Sequence, residues 1–222
     1  MRKEKMHVVI AMVLLTLGTS AAAGELADII LPVPRTDGGK PLMQALKDRQ
    51  TSRVFSPKKL PAQTVADLLW AAFGINRPDA GKRTAPSARN WQEIEIYVVM
   101  EEGIYLYDAK DNKLKIVAKG DFRKATGGQK FVASAPVNLV YVADEAKMNG
   151  AAPSEIGLYS GADAGFISQN VYLFCASEGL ATVVRGMVNR DALGKILKLS
   201  AQKKVVLAQT VGYPGENEKS EK

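Results

Sequence analysis

The sequence predicts an α+β fold with a mostly antiparallel sheet and separate helices. Two apolar runs on either side of Asp111-Asn112 predict a β-hairpin, and two further strand patterns border it. Helical patterns lie before and after these strands, without the regular βαβ alternation that a parallel sheet requires. We therefore expect a central antiparallel sheet flanked by helices.

The first third of the chain predicts a leader, two helices and a long loop. Residues 24–40 form an extended leader, because prolines and a Gly-Gly pair discourage regular structure. Pro41 suits the first turn of a helix over 41–49. A second helix spans 61–73 and ends at Gly74. Residues 76–90 are expected to form a polar loop, and loops of that length usually serve a function.

The middle of the chain carries the strand patterns. Residues 93–100 place Ile94, Ile96 and Val98 at alternate positions, which predicts a strand. The hairpin joins 104–107 to 113–117. Residues 135–143 are almost continuously apolar and predict a buried strand.

A long helix is predicted over 153–178, ending at Gly179. Its apolar residues extend nearly all the way round, so we expect it to be buried. Three glycines lie on one stripe at four-residue spacing, and two interpretations of them remain open: tight packing within the chain, or a helix–helix dimer seam. They are Gly157, Gly161 and Gly165. The remaining elements are a strand over 181–184, a helix over 191–199 and a strand over 205–211.

The N-terminus has the pattern of a secretory signal peptide. Three basic residues precede an apolar run over 8–17, and Ala21-Ala22-Ala23 supplies a small-residue cleavage site. The run is shorter than the roughly 20 apolar residues that span a bilayer. We predict a cleaved signal over 1–23 and an exported protein, with the periplasm as the expected compartment. The mature chain would have 199 residues, which fits one domain.

Composition excludes several kinds of chemistry. The one histidine, His7, lies in the predicted signal, so the mature chain has no catalytic triad of the Ser-His-Asp type and no histidine-ligated metal. Cys175 stands alone, so neither an internal disulfide nor a thiolate metal cluster is possible. The net charge of +7 falls to +5 after cleavage and is scattered, which favours a small anionic ligand over nucleic acid. We assign no metal site, and any catalysis would need a bound cofactor.

Two short polar segments lie at element boundaries, where free backbone N–H groups can meet an anion. The first cassette, residues 49–55, follows the first helix and places Thr51 and Ser52 between two arginines. Arginines at a helix end are common, but hydroxyls beside paired guanidiniums suit a phosphate monoester. The second cassette, residues 86–92, leads into a strand, and its Ser87 and Asn90 could also simply cap turns.

A third segment, residues 179–186, is a helix stop followed by a short strand and a glycine. It can be a plain connection, or it can present the backbone N–H groups of Arg185 and Gly186 to a ligand. Cys175 lies in an apolar stretch and is expected to be an inert core thiol. We assign no side chain a catalytic role.

Together these segments resemble the nitroreductase family of FMN-dependent oxidoreductases, over roughly residues 41–214. The chain then divides into the signal, the leader, this domain and a flexible tail over 215–222. The family's motifs are matched in order by four groups of residues. These are Arg49, Thr51, Arg53 and Phe55; Pro86, Ser87, Asn90 and Gln92; Gly179, Leu180, Thr182 and Gly186; and the ending 209–214. The hairpin 104–108 more loosely resembles the branch of azoline-oxidising peptide dehydrogenases.

The resemblance implies an intertwined homodimer on the nitroreductase-like fold, with two FMN sites at the subunit interface. It implies hydride transfer through flavin N5 between a small-molecule electron donor and a small organic acceptor, without nucleic acid or stable membrane insertion. The first cassette would hold the phosphate and ribityl groups, the second would come from the other subunit, and the third would meet the edge of the ring. The implied cofactor-binding residues are Arg49, Gln50, Thr51, Arg53, Pro86, Ser87, Ala88, Asn90, Val184, Arg185 and Gly186.

Two alternatives remain open. The protein could be a non-catalytic flavin-binding or interaction protein on the same fold. It could also be a periplasmic ligand-binding domain without flavin, in which case removing Arg49 and Arg53 would change little.

Overall fold

The computed structural model describes residues 27–216. The predicted signal peptide, the first residues of the leader and the end of the tail lie outside this range. The helices among the described residues follow the sequence pattern closely. They are α1 (Leu42–Asp48), α2 (Ala62–Phe73), α3 (Pro153–Glu178) and α4 (Arg190–Ile196).

Seven strands form one sheet, in which every neighbouring pair is antiparallel. The strands of this sheet and of a separate small hairpin are β1 (Ile29–Ile30), β2 (Ile75–Arg77), β3 (Lys82–Arg83), β4 (Ile94–Val99), β5 (Gly103–Asp108), β6 (Lys113–Lys119), β7 (Val137–Asp144), β8 (Ala181–Arg185) and β9 (Lys203–Gly212). The order in the sheet is β1-β6-β5-β4-β7-β9-β8, and β2 and β3 make the separate hairpin. The expected antiparallel α+β architecture is therefore confirmed.

The two faces of the sheet carry two cores, because side chains alternate along each strand. On β4, Ile96 and Val98 face a core that α2 and α3 cover, whereas Tyr97 and Val99 face the opposite side. The second core is closed by α4, whose Leu193 is fully buried. The alternating residues of β4 are therefore buried on both faces of the sheet, by α2 and α3 on one face and by α4 on the other.

Helix α3 differs from the expectation that it is buried all round. Leu158 is 69% exposed and Phe166 is 48% exposed, although Ile167 and Val171 on the other side are fully buried. The helix ends at Gly179 as predicted, in a left-handed conformation with φ of 69°. One side of α3 therefore packs on the sheet, and the other presents apolar residues at the surface.

The leader and the predicted loop contain more structure than the sequence suggested. Within the leader, Ile29–Ile30 adds an edge strand beside β6. The predicted loop over 76–90 is largely occupied by the β2–β3 hairpin and two short 3₁₀ helices. The prediction of a long polar loop was wrong. Strands of two or three residues are too short to show a periodic pattern in the sequence.

Backbone contacts join residues 214 and 215 to the first cassette. Phe55 forms an isolated antiparallel bridge with Pro214, and the Gly215 N–H donates to the Val54 carbonyl at 3.0 Å. These bonds tie the end of the domain to the first cassette.

Among residues 27–216, none of the helices is both long enough and apolar enough to cross a membrane. The same residues contain no group of three or more histidine, cysteine, aspartate or glutamate side chains placed to hold a metal ion.

Candidate functional site

The first cassette lies against the edge of β8. The Ser52 N–H donates to the Thr182 carbonyl at 3.0 Å, and buried Phe55 packs with Val183. With Ser52 and Phe55 turned inward, Arg53 is exposed and Arg49 half-buried. The cassette is thus anchored by two residues while its arginines remain available to a ligand.

Tyr172 of α3 joins the cassette to the third segment. Its hydroxyl accepts the Val184 N–H at 3.0 Å and forms a second hydrogen bond with Thr51 Oγ1, 3.1 Å away. The Arg49 guanidinium lies 5.5 Å from the centre of the Tyr172 ring, within cation–π range. Sequence reasoning missed Tyr172, because an aromatic residue inside an apolar helix looks like ordinary core.

A cleft of roughly 450 Å³ opens beside this junction. Three cations, Lys40, Lys47 and Arg49, line it against one acid, Asp48, which pairs with Lys40 at 2.8 Å. The cleft therefore carries excess positive charge and suits an anion. Its other lining residues are Gln50, Tyr172, Cys175, Ala176, Gly179, Leu180, Thr182 and Pro214.

Replacing Tyr172 with phenylalanine is expected to lower the free energy of unfolding by about 1–3 kcal/mol, because the Val184 N–H loses its acceptor. Chemical denaturation measures the change. Tyr213→Phe is the matched control, since Tyr213 is a partly exposed tyrosine whose ring, rather than its hydroxyl, contacts Lys58. Equal stability of the two variants would show that the Tyr172 hydroxyl does not hold the junction.

The third segment offers fewer free groups than its sequence suggested. The Val184 N–H donates to the Tyr172 hydroxyl, and the backbone of Arg185 lies opposite Ala208 of β9 in the antiparallel sheet. The Arg185 side chain points into the interior, where its guanidinium donates to the Thr126 carbonyl at 2.6 Å. Burial lowers the pKa of Arg185 to about 10. Gly186 is exposed at the end of the strand, and its N–H is the group of this segment best placed for a ligand.

The second cassette lies elsewhere along α3. The Ala88 N–H donates to Asp163 Oδ2 at 2.9 Å, and Trp91 Nε1 donates to the Asn149 carbonyl. Asp163 is nine residues before Tyr172, about 13 Å along the helix axis. Residues 86–90 do not line the cleft beside the first cassette. One described chain therefore does not bring the two cassettes together.

The turn of the second cassette has an unusual backbone. Arg89, Asn90 and Gln92 have φ of 48°, 57° and 49°, a left-handed conformation that costs non-glycine residues about 1–3 kcal/mol each. The turn is held internally, because Ser87 Oγ accepts the Gln92 N–H at 2.8 Å. Such strain accumulates where a turn must present particular groups.

Two buried acids lie beneath this turn, and sequence reasoning missed both. Glu93 is fully buried and Asp163 is 1% exposed. Burial raises the pKa of Glu93 to about 7, and the nearby charge of Asp163 adds to the effect. Both acids looked like ordinary polar positions, one at a strand start and one in a helix, because burial of a carboxyl depends on the tertiary fold.

Other motif residues have structural partners. Gln209 Nε2 donates to Thr182 Oγ1 at 3.1 Å, and Tyr141 donates to Gln209 Oε1 at 2.6 Å, all within the core. Cys175 is 1% exposed, and burial raises the pKa of its thiol well above the ordinary range. The expected burial of this thiol in the core is confirmed.

The antiparallel sheet, its helical layers and the positively charged cleft define an α+β protein suited to an anionic ligand. The sequence profile of the Nitroreductase family matches residues 46–213. The chain belongs to the Nitroreductase family.

Two relatives illustrate this membership. A crystal structure from Ralstonia eutropha JMP134, described as a nitroreductase, is 39% identical. It superposes with a TM-score of 0.82 over 86% of this chain and 91% of that one. A Methanocaldococcus jannaschii protein that carries the name nitroreductase is 28% identical over 71% of this chain and 84% of its own length.

More distant structures show the same fold. The E. coli microcin synthetase complex is 18% identical with a TM-score of 0.65, over 94% of this chain and 85% of that one. The NADPH:FMN oxidoreductase of Vibrio harveyi is 20% identical with a TM-score of 0.58, over 79% and 70%.

Proposed function

We propose that this protein is an exported, FMN-dependent oxidoreductase of the nitroreductase type that acts as a homodimer. The observation that carries the proposal is the junction at Tyr172. Its hydroxyl joins Thr51 of the first cassette to the backbone of Val184 in the third. Two segments that match the family's flavin motifs thus meet beside a positively charged cleft. The Vibrio harveyi protein of the same fold is, by its name, an FMN oxidoreductase.

The residues at the cleft fit FMN chemically. Arg49 and Gln50 line it, and the exposed residues Thr51 and Arg53 lie on the same cassette. Guanidinium, hydroxyl and amide groups are the donors that bind a phosphate monoester and a polyol chain. The N–H of Gly186 would meet the polar edge of the ring. We therefore place the phosphate at the first cassette and the ring towards β8.

A second copy of the chain is needed to complete the site. The second cassette lies about 13 Å along α3 from Tyr172, so Ser87, Ala88 and Asn90 would reach the ring from the partner subunit. A Cβ atom added at Gly157, Gly161 or Gly165 meets nothing within 4 Å. The stripe therefore does not serve tight packing within the described chain. This supports the dimer seam.

The surface around that stripe is apolar enough for an interface. On α3, Leu158 is 69% exposed and Phe166 is 48% exposed. On α1, which packs against α3, Leu42 and Met43 are exposed by 63% and 76%. Clustered exposed apolar side chains mark interaction surfaces. We place the two-fold axis of the homodimer on this face.

The protein's own contribution to catalysis is binding and orientation. When bound, FMN supplies hydride transfer at N5 between a small-molecule donor and a small organic acceptor. Arg49 and Arg53 would fix the phosphate, and Tyr172 would keep the first cassette seated on β8. The Cys175 thiol is buried and stays protonated, which removes it as a competing nucleophile. No side chain is assigned as a catalytic acid or base.

Export is part of the proposal and rests on the sequence of residues 1–23. A signal peptide of that pattern would deliver the protein to the periplasm. Fractionation of the native cells, with N-terminal sequencing of the purified protein, tests it. The proposal predicts a periplasmic chain that begins near Gly24.

A reduction assay separates the enzyme from a flavin-binding protein without turnover. The FMN-loaded protein is mixed without oxygen with NADH, NADPH or a chemical reductant, and the flavin absorbance is followed. Bleaching by one biological donor, with recovery on adding an organic acceptor, supports the oxidoreductase. Flavin that only the chemical reductant bleaches would contradict turnover and favour the non-catalytic binder.

A further inference from the structure

The buried acids Glu93 and Asp163 both lie beneath the second cassette, where they contact the consecutive residues Ser87 and Ala88. Glu93 is fully buried, and Ser87 Oγ donates to its Oε2 at 3.3 Å. Its other oxygen, Oε1, has no hydrogen-bond partner among the described residues. A buried oxygen without a partner is costly, unless the oxygen carries a proton and donates it.

Each acid holds one part of the strained turn. Asp163 Oδ2 accepts the Ala88 N–H at 2.9 Å, and Glu93 is bonded by the Ser87 hydroxyl. Ser87 Oγ in turn accepts the Gln92 N–H. The pair therefore contacts the turn at two consecutive residues, and through Ser87 it reaches the far end.

The cations nearest the turn are committed to other partners. Arg83 Nε donates to Gln92 Oε1 at 2.7 Å and its NH1 to the Phe73 carbonyl, while Arg89 donates to the Gly150 carbonyl. Asp163 is the charged neighbour that shifts the pKa of Glu93, and it shifts it upward. Other charged or titratable side chains near the turn have partners of their own. Glu95 and Asp144 face Lys147 and Lys203, and Tyr159 packs on Trp91.

We propose that Glu93 and Asp163 share one proton, and that this proton holds the turn over residues 86–92 in its strained conformation. The proton sits on Glu93 Oε1 and is donated to the Asp163 carboxylate. Asp163 Oδ2 remains free to accept the Ala88 N–H. When the proton leaves to solvent, two adjacent buried carboxylates repel each other, and the turn opens.

The pH dependence follows from the direction of the shift. Because the pKa of Glu93 is raised in the folded chain, the closed turn is favoured at low pH. It loses that advantage as the pH rises through about 7. The consequence for flavin binding rests on the proposed function, in which Ser87, Ala88 and Asn90 meet the ring.

Trp91 reports the state of the turn without any flavin. Its indole donates to the Asn149 carbonyl at 3.1 Å, and the Arg89 guanidinium lies over its ring. In a Trp70→Phe background, Trp91 is the one tryptophan of the full chain. Its fluorescence is measured from pH 5.5 to 9, with circular dichroism to show that each variant is folded.

The shared proton predicts one transition in Trp91 emission near neutral pH. Glu93→Gln keeps the shape and a permanent N–H donor, so the transition disappears and the emission stays at its low-pH value. Asp163→Asn removes the neighbouring charge, so the transition moves to lower pH. Glu145→Gln, a partly exposed acid nearby, is the control and leaves the transition in place. An unchanged transition in folded Glu93→Gln would overturn the proposal.

FMN titrations at pH 6 and pH 8.5 separate this proposal from the proposed function. Comparing the parent with Glu93→Gln at each pH cancels the ionisation of the FMN phosphate. We expect the ratio of the two dissociation constants to change by about tenfold between these pH values, because the parent loses its turn. A Trp91 transition in a protein that binds no FMN at either pH would contradict the proposed function and support the shared proton. A ratio that does not change, with FMN bound, would overturn the link between the proton and the flavin.

Discussion

Replacing Arg49 and Arg53 together with alanine is expected to weaken FMN binding by about two to four orders of magnitude. Each guanidinium would make a charged hydrogen bond to the phosphate, and such bonds contribute about 1.5–3 kcal/mol each. Fluorescence quenching of FMN during titration measures the dissociation constant. The fold should survive, because Arg53 is exposed and Ser52 and Phe55 still anchor the cassette.

The control variant removes two other positive charges, both far from the cleft. Lys110→Ala with Lys195→Ala takes two exposed cations from a hairpin turn and from α4, so the net charge changes equally. This control should bind FMN as the parent does. If both double variants lose the same small amount of affinity, the effect is general electrostatics, and the phosphate assignment is wrong.

Replacing Gly161 with glutamate is expected to convert the proposed homodimer to a monomer and, with it, to abolish the proposed FMN binding. A side chain at this position meets nothing within 4 Å inside the chain, so the subunit should fold normally. In the proposed dimer the same side chain would place a charge in an apolar helix seam, which costs several kcal/mol unless it is paired. Analytical ultracentrifugation gives the oligomeric state, and an FMN titration gives the linked loss.

Gly194 offers a matched control on α4. It is also a helical glycine, and a Cβ atom there makes only an ordinary 3.9 Å contact with Leu199. Gly194→Glu therefore adds the same charge to the face of the sheet away from α3. We expect this variant to remain dimeric and to bind FMN. A Gly161→Glu protein that stays dimeric would place the interface elsewhere.

Much of the fold could be predicted from the sequence, because its elements are long and periodic. The alternation along β4, the nearly continuous apolar run of β7 and the helical spacing in α2 predicted elements that the structure confirms. The edge strand β1 and the β2–β3 hairpin were missed, since they span only two or three residues each. Elements of that length depend on their neighbours for pairing, and no local pattern distinguishes them from loop.

The candidate site was predictable where it consists of consecutive residues. Arg49, Thr51 and Arg53 lie close together in sequence, so their shared position after α1 follows from the chain itself. Tyr172, Glu93 and Asp163 act through contacts between residues far apart in sequence. Their roles depend on which side of α3 packs on which strand, and that appears only once the sheet order is known.

The relation between the two cassettes shows the same limit. The sequence placed both at element boundaries, and the resemblance to the family assigned them to opposite subunits. The described chain places them along α3 more than two helical turns apart. This separation agrees with a site completed by a partner and explains why neither cassette alone distinguishes a cofactor site from a turn.

The central claim is that two copies of this chain bind FMN at their interface. Its most direct test is the flavin content of protein purified from its native compartment, measured by absorbance and by native mass spectrometry. We predict a yellow homodimer that carries two FMN molecules. A colourless protein that remains free of flavin after incubation with excess FMN would contradict the account.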